Sequence, residues 1–166
     1  MWKYTGKQRP QFALEPGPNQ ESVWDYPRPP VLVPDERKVE IYARNGDLLA
    51  STTGSMRVLE TASPPTFYIP AEDLSQELTP LEGSSFCEWK GVASYFSYKG
   101  VRLAWRYDNP SDRFRPIDGA YSFYASLAEC WVDGERVRAQ EGDFYGGWIT
   151  NEIVGPFKGE SGTQGW

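Results

Sequence analysis

From Lys38 onward, apolar and polar residues alternate with a period of two in short runs broken by turn residues, which is the pattern of half-buried strands rather than of helices. Residues 38–53, KVEIYARNGDLLASTT, predict two strands joined at Arg44-Asn45-Gly46-Asp47, because Asn-Gly tolerates the positive φ that a tight hairpin needs. Ser55 to Thr61 predicts a third strand, and Phe67 to Ile69 a brief extended piece. Pro70-Ala71-Glu72-Asp73 opens the one short helix of the pattern, running to Glu77, since Pro presets φ and the two acids favour the positive end of the helix dipole. Phe86 to Tyr98 and Val101 to Tyr107 predict a hairpin about Lys99-Gly100. In its second strand Val101, Leu103, Trp105 and Tyr107 are expected to face the core, with Arg102, Ala104 and Arg106 on the other side. Asp118 to Ser126, Cys130 to Asp133 and Glu135 to Ala139 add further strands, with Asp133-Gly134 as a tight turn.

The two flanks read differently. Half of the 14 prolines fall within residues 1–36, and a segment so rich in Pro is excluded from helices and central strands. It nevertheless carries Phe12, Val23, Trp24, Tyr26, Val31 and Val33, so it is predicted to cross the domain as an ordered strap anchored by Trp24 and Tyr26. Residues 37–140 then form the β domain. Residues 141–166 hold seven of the 16 glycines beside Trp148, Phe157 and Trp166, and predict a second strap in which backbone approaches flat rings closely.

The length fits one domain able to bury a real core. A net charge of −6 without any run of basic residues leaves no electrostatic footprint for a nucleic acid or an anionic membrane. No apolar run is long enough to span a bilayer, and the start MWKYTGKQRP lacks the apolar core of a secretory signal, so a cytoplasmic location is expected. The chain has no histidine, which removes the usual general base and the commonest metal ligand. Cys87 and Cys130 fit no metal-ligand spacing and are expected to be structural thiols. No metal or cofactor is implied.

Three segments, Trp24-Asp25-Tyr26-Pro27-Arg28-Pro29-Pro30, Glu60-Thr61 with Pro64-Pro65-Thr66-Phe67-Tyr68-Ile69-Pro70, and Cys87-Glu88-Trp89-Lys90-Gly91, are followed by Ala104-Trp105-Arg106-Tyr107, Pro110, Ile117-Asp118-Gly119 and Phe123. In this order they resemble the family called domain of unknown function 427 (DUF427), over residues 24 to about 130, with both ends similar to a longer subgroup. The resemblance implies a mainly β fold: a compact antiparallel two-sheet β-tent of the Mss4-like kind, with one short helix. Some members of that wider class bind zinc through paired CxxC motifs, and this chain has no CxxC. A nucleotidyltransferase label attached to the family finds no glycine-rich phosphate loop or paired-aspartate motif here, and the glycine clusters Gly146-Gly147 and Gly155 to Gly159 have no helix after them.

If Met56 and Val58 point inward, Glu60 shares their face and is buried; with Leu59 inward, Glu60 is exposed and Arg57 joins the pocket side instead. A buried carboxylate needs a cation or donors, or takes up a proton. The expected partner of Glu60 is Lys90, in a partly buried pair across the sheet. Cys87 and Lys90 themselves are expected to diverge along a regular strand, so that Lys90 does not activate the thiol. Tyr68, Tyr95, Trp105, Tyr107, Tyr121 and Trp148 are the aromatic residues able to line a cleft, against the alternative that they only fill the core. The candidate ligand-binding set is therefore Glu60, Tyr68, Cys87, Lys90, Tyr95, Trp105, Tyr107 and Tyr121. Three functions are compatible with it: a module binding a small polar or aromatic ligand, an enzyme using Glu60 or a tyrosine as acid with Lys90 as electrostatic stabiliser, and a structural or protein-interaction domain.

Overall fold

The computed structural model describes residues 1–142 and 145–166, and in it the alternating runs become strands. In chain order these are β1 (Val31–Asp35), β2 (Val39–Tyr42), β3 (Leu48–Thr52), β4 (Ser55–Leu59), β5 (Thr66–Tyr68), β6 (Thr79–Cys87), β7 (Gly91–Tyr98), β8 (Val101–Tyr107), β9 (Tyr121–Phe123), β10 (Glu129–Val132) and β11 (Glu135–Arg136). They form three main antiparallel sheets, ordered β1-β4-β5, β9-β8-β7-β6 and β11-β10-β2-β3. A bridge between Ile69 and Tyr121 joins the first sheet to the second: each backbone N–H donates to the other's carbonyl, at 2.7 and 2.8 Å. The fold is mainly β, and no helix among the described residues is long and apolar enough to cross a membrane.

Turn chemistry sets the hairpins. Lys99-Gly100 and Asp133-Gly134 both have positive φ at their two positions, 47° and 83°, and 46° and 78°, as two-residue turns between right-twisted strands require. The helix expected from Pro70 to Glu77 is only a 3-10 turn, Ala71–Asp73. The backbone leaves it at Leu74 in an extended conformation because β3 offers better partners: Leu74 bridges Ala50, and Ser75 N–H donates to the Leu49 carbonyl at 2.8 Å.

The Pro-rich segment ends in a strand, residues 31–35, that includes Pro34. β1 is an edge strand bonded only to β4, so the missing N–H of Pro34 costs no ladder partner on its open side. β6 begins at Thr79, well before the expected Phe86. It too is an edge strand, mostly exposed, and therefore shows no apolar alternation.

Apolar burial falls into three clusters. One, with Ile41, Leu49, Phe67, Ile69, Phe96, Leu103 and Phe123, fills the space beneath the β11-β10-β2-β3 sheet. A second, with Val58, Tyr68, Trp105, Tyr107, Phe114 and Ile117, lies on the other face of the β9-β8-β7-β6 sheet. β8 is thus covered on both faces, and a register shift opposite Phe96 and Ser97 alters its parity: Leu103 and Ala104 are both buried, whereas Val101, expected inward, is exposed. The third cluster joins the straps to β4, through Val23, Trp24, Tyr26, Leu59 and Ile153. Glu21–Ser22 pairs in parallel with Ile153–Val154, and the Trp24 indole N–H donates to the Pro156 carbonyl at 3.0 Å. Tyr4, Phe12 and Trp166 ring Trp24 with centroids 5.1 to 5.2 Å away.

Candidate functional site

The inward face of the second sheet is assembled by register. Tyr95 of β7 opposes Trp105 of β8, and Ala93 opposes Tyr107, so all four point to one side together with Ser85 of β6. Facing them from the first sheet are Val58, Tyr68 and, just past the end of β4, Glu60. Between the two walls lies a cavity of about 330 Å³, bordered further by Ser63, Pro64 and Gln140, by Gly146 and Lys158 of the C-terminal strap, and by Trp2 from the N-terminal one. Seven of the eight candidates border it: Glu60, Tyr68, Cys87, Lys90, Tyr95, Trp105 and Tyr107.

Tyr121 does not. It pairs with Arg106 across β8, and that register sends it to the opposite face from Trp105. There its hydroxyl accepts from the Arg106 guanidinium at 2.5 Å and its ring meets Phe96 edge to face at 5.0 Å. Trp148 is also withdrawn from the cleft: it stacks on Phe67 at 4.7 Å, and its N–H donates to the Phe123 carbonyl at 2.8 Å.

β4 is covered on both faces, which answers the question of register. Val58 and Glu60 turn to the cavity; Leu59 packs beneath the straps, and Arg57 on that side pairs with Glu21 and Asp35. The expected Glu60–Lys90 pair is not formed. Glu60, with 22% of its side chain exposed, accepts instead from Arg28 Nε at 3.1 Å. Arg28 is buried to 1% and spends its remaining donors on the carbonyls of Tyr4, Thr61 and Trp166, at 2.9, 3.1 and 2.8 Å. One guanidinium thereby ties both straps to the end of β4. Trp2 lies across it, its ring centroid 4.0 Å from the Arg28 guanidinium carbon, with Lys158 at 5.1 Å.

Lys90 and Cys87 do not diverge as a regular strand would make them. β6 ends at Cys87, residues 88–90 form the turn, and Lys90 comes back to the cavity beside the thiol. Lys90 is 9% exposed, with the rings of Tyr107 and Phe114 centred 5.6 and 5.8 Å from its ammonium. Burial works against its charge, but Tyr68, Cys87 and Glu60 outweigh that and hold its pKa above the ordinary value. Burial likewise raises the Tyr107 phenol, and pushes Tyr124, a cavity residue the sequence reading did not single out, up to about 12. Both remain hydroxyl donors at neutral pH. Cys130 is fully buried and burial raises its pKa, as befits a packing thiol; Cys87, half-buried on the cavity wall, is also free.

The polar groups on the walls are oriented by one another. Tyr95 and Ser85 share a hydroxyl hydrogen bond of 2.6 Å, the Trp105 N–H points to the Tyr68 hydroxyl at 3.3 Å, and Tyr124 leans on Trp105 with centroids 4.6 Å apart. Gly146 lies against the Trp105 indole so closely that a Cβ there would stand 2.1 Å from the ring. Arg28, Tyr124, Gln140 and Lys158 are among the site residues that sequence reasoning missed. Arg28 alone had a signal, as the one cation between Trp24 and Pro30, where prolines and aromatic residues cluster in a segment predicted to be ordered.

Fold and site together define a small mainly β domain with an aromatic-lined, partly charged cavity. Residues 31–134, more than half of the chain, match the family described as domain of unknown function (DUF427), and the chain belongs to that family. The match runs from β1 to the turn after β10 and leaves most of both straps outside it. No curated protein matches the sequence.

Proposed function

We propose that this chain is a binding domain for a small polar or aromatic molecule, held in the cavity between β4, β5 and the β6-β7-β8 face. The observation that supports this most is that Tyr68, Tyr95, Trp105, Tyr107 and Tyr124, although packed together in the second apolar cluster, leave an unfilled space along one side. They border about 330 Å³, within the usual range of about 300–1,000 Å³ for small-molecule pockets. Rings supply stacking surface, phenols and a buried ammonium supply a few fixed donors, and Trp2 with the C-terminal strap limits water at the mouth.

The test is native mass spectrometry and thermal unfolding of the full chain with one- and two-ring phenols, carboxylic acids and amines. The reading expects a one-to-one adduct with a saturable rise in Tm, as binding to the folded state alone requires. Both should disappear in Ala93→Leu, which drives a larger side chain into the void. Adducts that survive that substitution unchanged, or none with any class, would refute it. Proton transfer in the same cavity, with a tyrosine as acid and Lys90 as stabiliser, is the enzymatic alternative. It ranks second because Glu60 is engaged by Arg28; chemical change of a bound compound would reverse the order.

A further inference from the structure

Among the described residues, the cavity wall carries more cationic than anionic side chains free to meet a ligand. The Lys90 ammonium is almost wholly buried, and among the described residues no carboxylate stands at ion-pair distance from it. Glu60, whose field does reach it, is committed to Arg28. The other groups around it are the Tyr68 hydroxyl and the Cys87 thiol, and neither is a carboxylate. Lys158 adds a second cation to the same wall. Burial and the neighbouring Arg28 lower its pKa while Glu60 and Glu88 oppose them, and Glu88 sits exposed at the rim. The fold thus keeps an ammonium charged and in place with no carboxylate bonded to it, and an anionic ligand would complete the pair.

We infer that the cavity takes a planar aromatic anion, with its carboxylate against Lys90 and its ring against Trp105 and the tyrosines. The inference rests on the binding reading above and specifies the ligand's charge and shape. The volume corresponds to about eleven waters at about 30 Å³ each, room for one or two fused rings bearing one small acidic group. Trp105 is prepared as the stacking surface: Tyr68 accepts its N–H, Tyr124 leans on it and the Gly146 backbone presses against its ring. The chain as a whole has a net charge of −6, so any preference for an anion must arise locally, from Lys90 and Lys158, and not from the overall field.

The experiment is calorimetric titration of the full chain with three probes of one shape: 1-naphthoate, the neutral 1-naphthamide and the cationic 1-naphthylmethylamine. The expected result is that the carboxylate binds at least about tenfold more tightly than the amide, as a charge-assisted contact implies, and the amine most weakly. Lys90→Met should bring carboxylate and amide together, and Lys90→Arg should keep them apart. A wild-type protein that binds amide or amine as tightly as carboxylate overturns the inference but leaves the binding reading standing. Retention of the preference in Lys90→Met also overturns it. Failure of all three probes at their solubility limits removes both. The wild-type comparison decides the matter even if Lys90→Met does not fold.

Discussion

Replacing Arg28 by alanine should unfasten the molecule at a single point. Its guanidinium, 1% exposed, donates to Glu60 and to three carbonyls drawn from the N-terminal strap, the end of β4 and the last residue. Without it the three carbonyls lose their donors in a region closed to water. Breaking a buried pair from one side costs about 3–5 kcal/mol, and that is the loss expected here. For a domain of this length it corresponds to a fall in Tm on the order of 10 °C. Arg28→Lys keeps the charge but not the fork that reaches four acceptors at once, so about half the loss should remain. Glu60→Gln should cost only about 1 kcal/mol or less, because an amide oxygen still accepts from Nε and the side chain is 22% exposed. Guanidinium unfolding followed by tryptophan fluorescence measures all three, with the slope m checked for constancy. A loss below about 1 kcal/mol for Arg28→Ala, or a larger one for Glu60→Gln, would refute the view that Arg28 is the fastening and Glu60 one of its several acceptors.

Other consequences follow from the same geometry. Lys90→Met removes an ammonium whose pKa the fold holds above its ordinary value, so it should lower stability at neutral pH by about 1 kcal/mol, read as an earlier guanidinium midpoint at unchanged m. Gly146→Ala places a Cβ 2.1 Å from Trp105 and should cost about 2–3 kcal/mol, with a shifted tryptophan emission as the indole is displaced. Acid should destabilise the fold in a defined window. Burial opposes ionisation of both Asp35 and Glu21, but Arg37 holds the Asp35 pKa down and Arg57 that of Glu21, while Tyr98, Lys99 and Asn45 lower Asp47 to about 2. With folded pKa values below unfolded ones, these groups stabilise the fold above about pH 4 and lose that contribution as pH falls toward 2, so Tm should drop between those limits and drop less in Asp35→Asn. An unchanged Tm from pH 5 to pH 2 would count against the Glu21–Arg57–Asp35–Arg37 network.

What the sequence revealed was whatever depends on neighbours along the chain. Lys99-Gly100 and Asp133-Gly134 dictate their turns through positive φ alone, and Trp24 was readable as an anchor because so large a ring in a Pro-rich segment must be buried somewhere. Pro density hid β1, since only an edge position makes Pro34 acceptable, and edges are defined by the sheet. β6 was hidden for a related reason: an exposed edge strand has no apolar face to display. At the site, alternation correctly grouped Trp105 with Tyr107, but it carries no information about which strand lies opposite. The pairing of Tyr121 with Arg106, and not with Trp105, therefore turned that tyrosine away. The Glu60–Arg28 pair spans 32 residues and the turn at residues 88–90 reverses the direction of Lys90; both are products of tertiary packing that no local pattern contains.

The seven tryptophans provide the most direct test of the central claim, that the cavity is a ligand site. Trp105, Trp24 and Trp148 direct their indole N–H groups to three separate acceptors, the Tyr68 hydroxyl and the Pro156 and Phe123 carbonyls. In a proton–nitrogen correlation spectrum titrated with 1-naphthoate, the Trp105 indole signal, assigned through Trp105→Phe, should move saturably while those of Trp24 and Trp148 stay in place. An unmoved Trp105 signal under conditions where the probe binds would contradict the account.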